Sequence, residues 1–176
     1  LVVLTTPVVV SLAGRAQRRA VIGVAISAVV AFTLLFVPGS FHHRPDATNL
    51  ATYVHDNTAS DERVLIWGSF PEVLVEAERL PGGALVHTDF VTGRSGGRED
   101  PEVTLKMATS GALEIMLNDL EDHPPLLVLD TSTSSELGYS RYPMSLFPDV
   151  AAFVYGNYEH VTDIDGVAVW RRTTDN

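Results

Sequence analysis

Cysteine is absent from all 176 residues, which removes disulfides, thiolate metal sites and cysteine nucleophiles while leaving the compartment open. Acid is absent from residues 1–44, which carry four Arg and no Asp or Glu. Lysine occurs once against eleven Arg, a bias for which we have no physical account. The patterns that announce a reaction are missing too. No GxSxG elbow surrounds Ser134, Ser135 or Ser140, so a Ser-His-Asp hydrolase has no support. The six His show neither HExxH nor paired spacing, and there is no Walker GxxxxGK[ST] and no GxGxxG. No metal and no cofactor are expected.

What is present is a division by hydropathy and charge. Ala20–Val37 reads AVIGVAISAVVAFTLLFV without a single charge. As a helix it is about 27 Å long, the thickness of a bilayer's hydrocarbon core. Arg15, Arg18 and Arg19 precede it, and His42, His43 and Arg44 follow. The preceding run, LVVLTTPVVVSLAG, is too short to span and reads as the end of a truncated transmembrane helix over 1–14, kinked at Pro7. By the positive-inside rule RAQRR, 15–19, is a cytoplasmic loop, 20–38 a transmembrane helix and 45–176 an extracytoplasmic domain. A signal peptide competes with this reading. Against it stand the apolar run ahead of the basic residues and the lack of a small-x-small cleavage site in FVPGSFHH. A buried core helix also competes, but eighteen apolar residues with no polar face are long for one.

From Pro45 onward, 8 basic and 22 acidic side chains leave −14, within a chain total of −10. Such a domain repels nucleic-acid phosphates and anionic headgroups. Nucleic acid is not an expected partner; the lipid bilayer is, through the apolar helix.

The domain alternates strand-like and helical patterns. Asp46 can cap a helix to about Asn57 whose apolar face is Leu50, Tyr53 and Val54. Val64–Trp67 is a short apolar strand, and Pro71 opens a helix with Val73, Leu74, Ala77 and Leu80 on its stripe, ended by Pro81-Gly82-Gly83. Ala84–Thr88, ALVHT, reads as a second strand, and Phe90–Asp100 as a loop. Leu113, Met116, Leu117 and Leu120 make a helical stripe. Leu126–Asp130 is a third strand, TSTSSELGYSRY a polar loop, and Pro148–Tyr155 a helix closed by Gly156. YEHVTDI and VAVWRR flank Asp165-Gly166, a strong hairpin signal. The expected fold is α/β: a membrane helix followed by a small three-layer α/β domain with a mainly parallel sheet and a C-terminal β-hairpin.

In open α/β sheets ligands gather beyond the carboxyl ends of the strands, which here are Gly68-Ser69, Thr88-Asp89 and Asp130-Thr131. Trp67, Asp89 and Asp130, with Arg94 on the adjoining loop, are the candidate substrate-binding residues. Each has a plainer role: Asp89 and Asp130 as caps after strands, and Trp67, like Trp170, as core packing. GRSGGR, with Arg94 and Arg98, hints at a phosphate cradle but keeps no phosphate-loop spacing.

The stretches RVLIWGSFPEVLVEAER, TDFVTG, HPPLLVLD, YPMSLFPDV and DGVAVWRR, in this order, resemble the C-terminal region of bacterial multi-span glycosyltransferases of the protein-mannosyltransferase-like kind, in the GT-C superfamily. The resemblance implies a last membrane helix leading into a small extracytoplasmic α/β domain. It also implies a polyprenyl-phosphate sugar donor, a glycan or protein acceptor, and catalytic acids in an upstream outward loop that this sequence does not include. No catalytic residue is assigned. A membrane-anchored, non-catalytic binding or interaction domain is the alternative.

Overall fold

The chain divides into two compact units, Leu1–Arg44 and Pro45–Asn176. The computed structural model describes residues 14, 22–24, 26–33, 46–94 and 100–173. In the first unit 22–24 and 26–33 are helical, and every described side chain is exposed. Thr33 Oγ1 donates to the Val29 carbonyl at 2.8 Å, so this helix satisfies its own hydroxyl. Among the described residues no helix is long and apolar enough to cross a membrane. The ends of the expected span, the basic loop 15–19, nearly all of 1–14, and Arg98 lie outside the described residues.

The second unit is mixed α/β. Its helices are α1 (Thr48–Asn57), α2 (Glu72–Ala77), α3 (Asp89–Thr92), α4 (Pro101–Thr104), α5 (Ala112–Asp122) and α6 (Pro148–Asn157). Its strands are β1 (Arg63–Trp67), β2 (Leu80–Pro81), β3 (Leu127–Asp130), β4 (Tyr158–Ile164) and β5 (Val167–Arg172), in the sheet order β2-β1-β3-β5-β4. β1 runs parallel to β2 and β3, whereas β5 runs antiparallel to β3 and β4. The sheet is therefore mixed, parallel at one side and completed by the expected antiparallel C-terminal hairpin. The hairpin contributes as much pairing as the crossovers do.

Side chains alternate across the sheet, and helices cover both faces. One core joins Val64, Ile66, Leu127, Leu129, Val167 and Val169 to α1 and α2 through Leu50, Val54, Val73 and Ala77. The other joins Leu65, Trp67 and Val128 to α5 and α6 through Met116, Leu120, Val150 and Val154. This gives the three layers. Asp46 works as anticipated, its Oδ1 accepting from Thr48 N at 2.9 Å. Asp165 and Gly166, at φ 50° and 80°, make the tight turn joining β4 to β5.

Three expectations are corrected. The strand placed at Ala84–Thr88 is absent; Leu80–Pro81 takes that place beside β1. Gly82 N donates to Val64 O at 2.8 Å, and a Cβ there would stand 2.9 Å from Leu65 Cα, so only glycine fits so close to β1. The chain then leaves the sheet, because Asp119 on α5 accepts from Ala84 N at 2.8 Å. Leu80 is accordingly exposed in β2 rather than on a helical stripe, since Glu78 turns left-handed (φ 55°) and ends α2 early. Finally, the polar loop after β3 buries Tyr139 and Tyr142 completely.

Candidate functional site

β1 and β3 are in register through Trp67 and Asp130, so these two residues are neighbours at the carboxyl edge of the sheet. Trp67 is wholly buried, its Nε1 donates to Tyr142 O at 2.8 Å, and Phe147 packs against it edge-on at 5.1 Å. Both faces and the polar tip of the indole are used by the protein itself. Asp130 is buried as well and caps the 3₁₀ turn after β3. Its Oδ1 accepts from Ser132 N at 2.9 Å and Ser132 Oγ at 2.6 Å. Burial pushes its carboxyl above the ordinary carboxylate value, opposed by the two Ser132 hydrogen bonds.

The edge is drawn together by Thr88. Its Oγ1 accepts from Gly68 N at 2.9 Å, its backbone N donates to Gly68 O at 3.0 Å, and it lies 2.9 Å from the Tyr139 hydroxyl. Thr92 Oγ1 meets the same hydroxyl at 2.9 Å, and Thr104 Oγ1 meets Tyr142 OH at 2.8 Å. Burial raises the Tyr139 phenol far above its ordinary value, the Thr88 and Thr92 bonds oppose this, and the Asp89 charge adds to it. Tyr139 is a neutral structural hydroxyl.

Asp89 and Arg94 flank that phenol. Asp89 opens α3, and the Arg94 guanidinium carbon lies 5.4 Å from the centre of the Tyr139 ring, a cation–π geometry. Asp89 Oδ2 lies 3.7 Å from His87 Nδ1, while Asp89 Oδ1 and His87 Nδ1 are buried without a hydrogen-bond partner. His87 also stacks on Phe90 at 5.1 Å. The four candidates thus fall into two pairs: Trp67 with Asp130, sealed in, and Asp89 with Arg94, partly open around Tyr139. Sequence reasoning passed over His87, Tyr139 and Tyr142. The one available signal was the Thr88–Thr92 spacing, one helical turn that presents two hydroxyls on one side.

A carboxylate, an imidazole and a guanidinium at one edge suit hydrogen bonding to a hydroxyl-rich ligand. The hydroxyls of Thr88, Thr92 and Tyr139 bond to one another, not to a base. Among the described residues no three His, Asp or Glu side chains converge as metal ligands would. A separate open groove of about 650 Å³ runs between Val91, Leu105, Leu113, Leu117 and Phe147, with Glu114 and Glu121 at its side; none of the four candidates lines it. The fold class is therefore a three-layer α/β domain with a polar, internally bonded sheet edge. Comparison of the chain with family models, curated proteins and solved structures gives no match.

Proposed function

We propose that this chain is the C-terminal part of an integral-membrane glycosyltransferase that uses a polyprenyl-phosphate sugar. In this reading 45–176 is its extracytoplasmic accessory domain, and the catalytic acids lie outside these residues. The observation that carries the reading is the helix at 22–24 and 26–33. Val24, Val29 and Phe32 are 71 %, 65 % and 62 % exposed, an apolar surface that water does not tolerate and lipid does. The acidic α/β domain that follows cannot lie on anionic headgroups and stands off them. Its strand-end groups support a role in binding rather than chemistry, because Asp130 and Tyr139 are committed to internal hydrogen bonds. Asp89 and Arg94 are the residues proposed to meet a glycan or protein acceptor, with Trp67 and Asp130 holding that edge from beneath.

The test is transfer from a labelled polyprenyl-phosphate sugar in proteoliposomes. The full-length enzyme transfers, and residues 1–176 alone do not. Transfer by 1–176 alone, or full-length activity with soluble nucleotide sugars only, overturns the assignment. A reporter fused after Asn176 tests the topology, and activity of that reporter only in the cytoplasm refutes it.

The second reading is a membrane-anchored binding module with no catalytic partner in its chain. Its support is that 45–176 closes a core on both faces of its sheet using its own helices. Absence of transfer by the full-length protein under all donor conditions favours it.

A further inference from the structure

The protein has two tryptophans, and the one within reach of a ligand is Trp170, not Trp67. Trp170 lies on β5, half-buried, with the Tyr155 ring of α6 5.1 Å away and the His160 ring of β4 set edge-on at 5.5 Å. Its Nε1 is buried with no hydrogen-bond partner, while Tyr155 beside it is 50 % exposed. His160 Nε2 pairs with Asp163 Oδ1 at 3.1 Å, both side chains being open to solvent.

A strand irregularity creates this grouping. Residues three apart in a regular strand point to opposite faces. The β4–β5 register shifts between His160 and Thr162, so Val161 is an extra residue, and His160 and Asp163 emerge on the same face. On that face Asp163, Ala168, Asp130 and Trp67 are successive neighbours across β4, β5, β3 and β1. Ala168 and Asp130, in the middle, are buried, so of the two carboxylates it is Asp163 that faces solvent. The Tyr155 phenol is raised by burial and then by the charge of Asp130.

We propose that Tyr155, His160, Asp163 and Trp170 form a binding surface for a neutral pyranose glycan, separate from the Asp89–Arg94 edge. The apolar C–H face of a pyranose lies on aromatic rings whose faces are electron-rich, while carboxylate and imidazole at the rim bond its hydroxyls. The two carboxylates and the −14 charge of the domain disfavour a phosphate or another anion. The extra residue and the charged side chains of β4 also blunt the edge against strand pairing with a second copy. The inference goes beyond the transferase reading and holds for either proposed function.

Because Trp67 is sealed, a saccharide-induced change in tryptophan emission reads Trp170. The probes are mannotriose, cellotriose and maltotriose, titrated separately into the full chain in detergent micelles. The expected result is a saturable emission change with at least one of them. It is abolished in Trp170→Phe, weakened about tenfold in Tyr155→Ala and less so in Asp163→Asn. Tyr155→Ala and Asp163→Asn alter exposed side chains and leave the core intact, so they report on the surface even where Trp170→Phe perturbs packing. No change with any of the three sugars, a change that survives Trp170→Phe, or affinity unaltered in Tyr155→Ala overturns the proposal. Emission that follows protein concentration rather than saccharide assigns the face to a second copy and overturns it too. The readout is equilibrium binding, so its failure leaves the transfer assay untouched, and the reverse holds.

Discussion

The parallel half of the sheet and its hairpin half use similar residues to opposite ends. At the end of β1, Trp67 gives its indole N–H to Tyr142 O, and the nearby Tyr139 hydroxyl is enclosed by Thr88 and Thr92. On the hairpin, Trp170 keeps a buried, unmatched N–H, and Tyr155 of α6 beside it leaves half its surface in water. An aromatic residue with a polar tip can be buried when the chain supplies a partner for that tip, and the cost of leaving one unmet is about 1–3 kcal/mol. The parallel half meets that condition and becomes structure. The hairpin half buries its indole N–H unmet, and the Tyr155 ring beside it stays half in water.

The sharpest way to break this comparison is to truncate each tryptophan. Trp67→Ala should cost about 3–5 kcal/mol by cavity formation, whereas Trp170→Ala should cost nearer 1 kcal/mol. Urea unfolding followed by far-ultraviolet circular dichroism measures both, and equal losses would collapse the distinction. The glycines come next. Gly68 has φ 134°, and a Cβ there would stand 1.7 Å from Thr131 Oγ1. Gly166 in the hairpin turn has φ 80° and only ordinary contacts with Ser134 at 3.5 Å. Gly68→Ala should cost roughly 3 kcal/mol and Gly166→Ala about 1–2 kcal/mol, the latter for backbone conformation alone.

Removing one hydroxyl is a smaller test. Tyr139→Phe should cost about 1–3 kcal/mol by leaving Thr88 and Thr92 short of a partner, while Tyr155→Phe should fall within about 0.5 kcal/mol of the parent. A difference in the opposite sense would mean that the exposed ring, not the enclosed one, carries the packing.

The smallest effect is on pH dependence. Burial holds the folded-state pKa of Asp130 above its ordinary 3.8. As pH rises past 3.8 the unfolded chain loses this proton first, so stability falls with rising pH up to the folded value and is level above it. Asp130→Asn should flatten that decline in melting temperature, and at neutral pH it should melt within a few degrees of the parent. An unchanged profile would mean that Asp130 ionises in the folded protein as readily as in the unfolded one.

Much of this fold was legible along the chain. β1, β3 and the hairpin came from unbroken apolar runs and from Asp165-Gly166, and α5 from Leu113, Met116, Leu117 and Leu120 at helical spacing. Periodicity and turn chemistry act over a few residues, so a sequence states them directly. The second strand was not legible. ALVHT has better strand composition than Leu80-Pro81, yet Gly82 against Leu65 and Asp119 against Ala84 decided the path. Of the candidate site, the sequence located the ends of β1 and β3 and named Asp89, Arg94, Trp67 and Asp130, but Thr88-Asp89 ends no strand. Which of two tryptophans would be sealed depended on whether a carbonyl 75 residues away arrived at its N–H. His160 and Asp163 came to one face through an extra residue visible only in the register with β5. Local pattern fixes elements; burial and facing are set by partners distant in the chain, and only the tertiary structure brings those together.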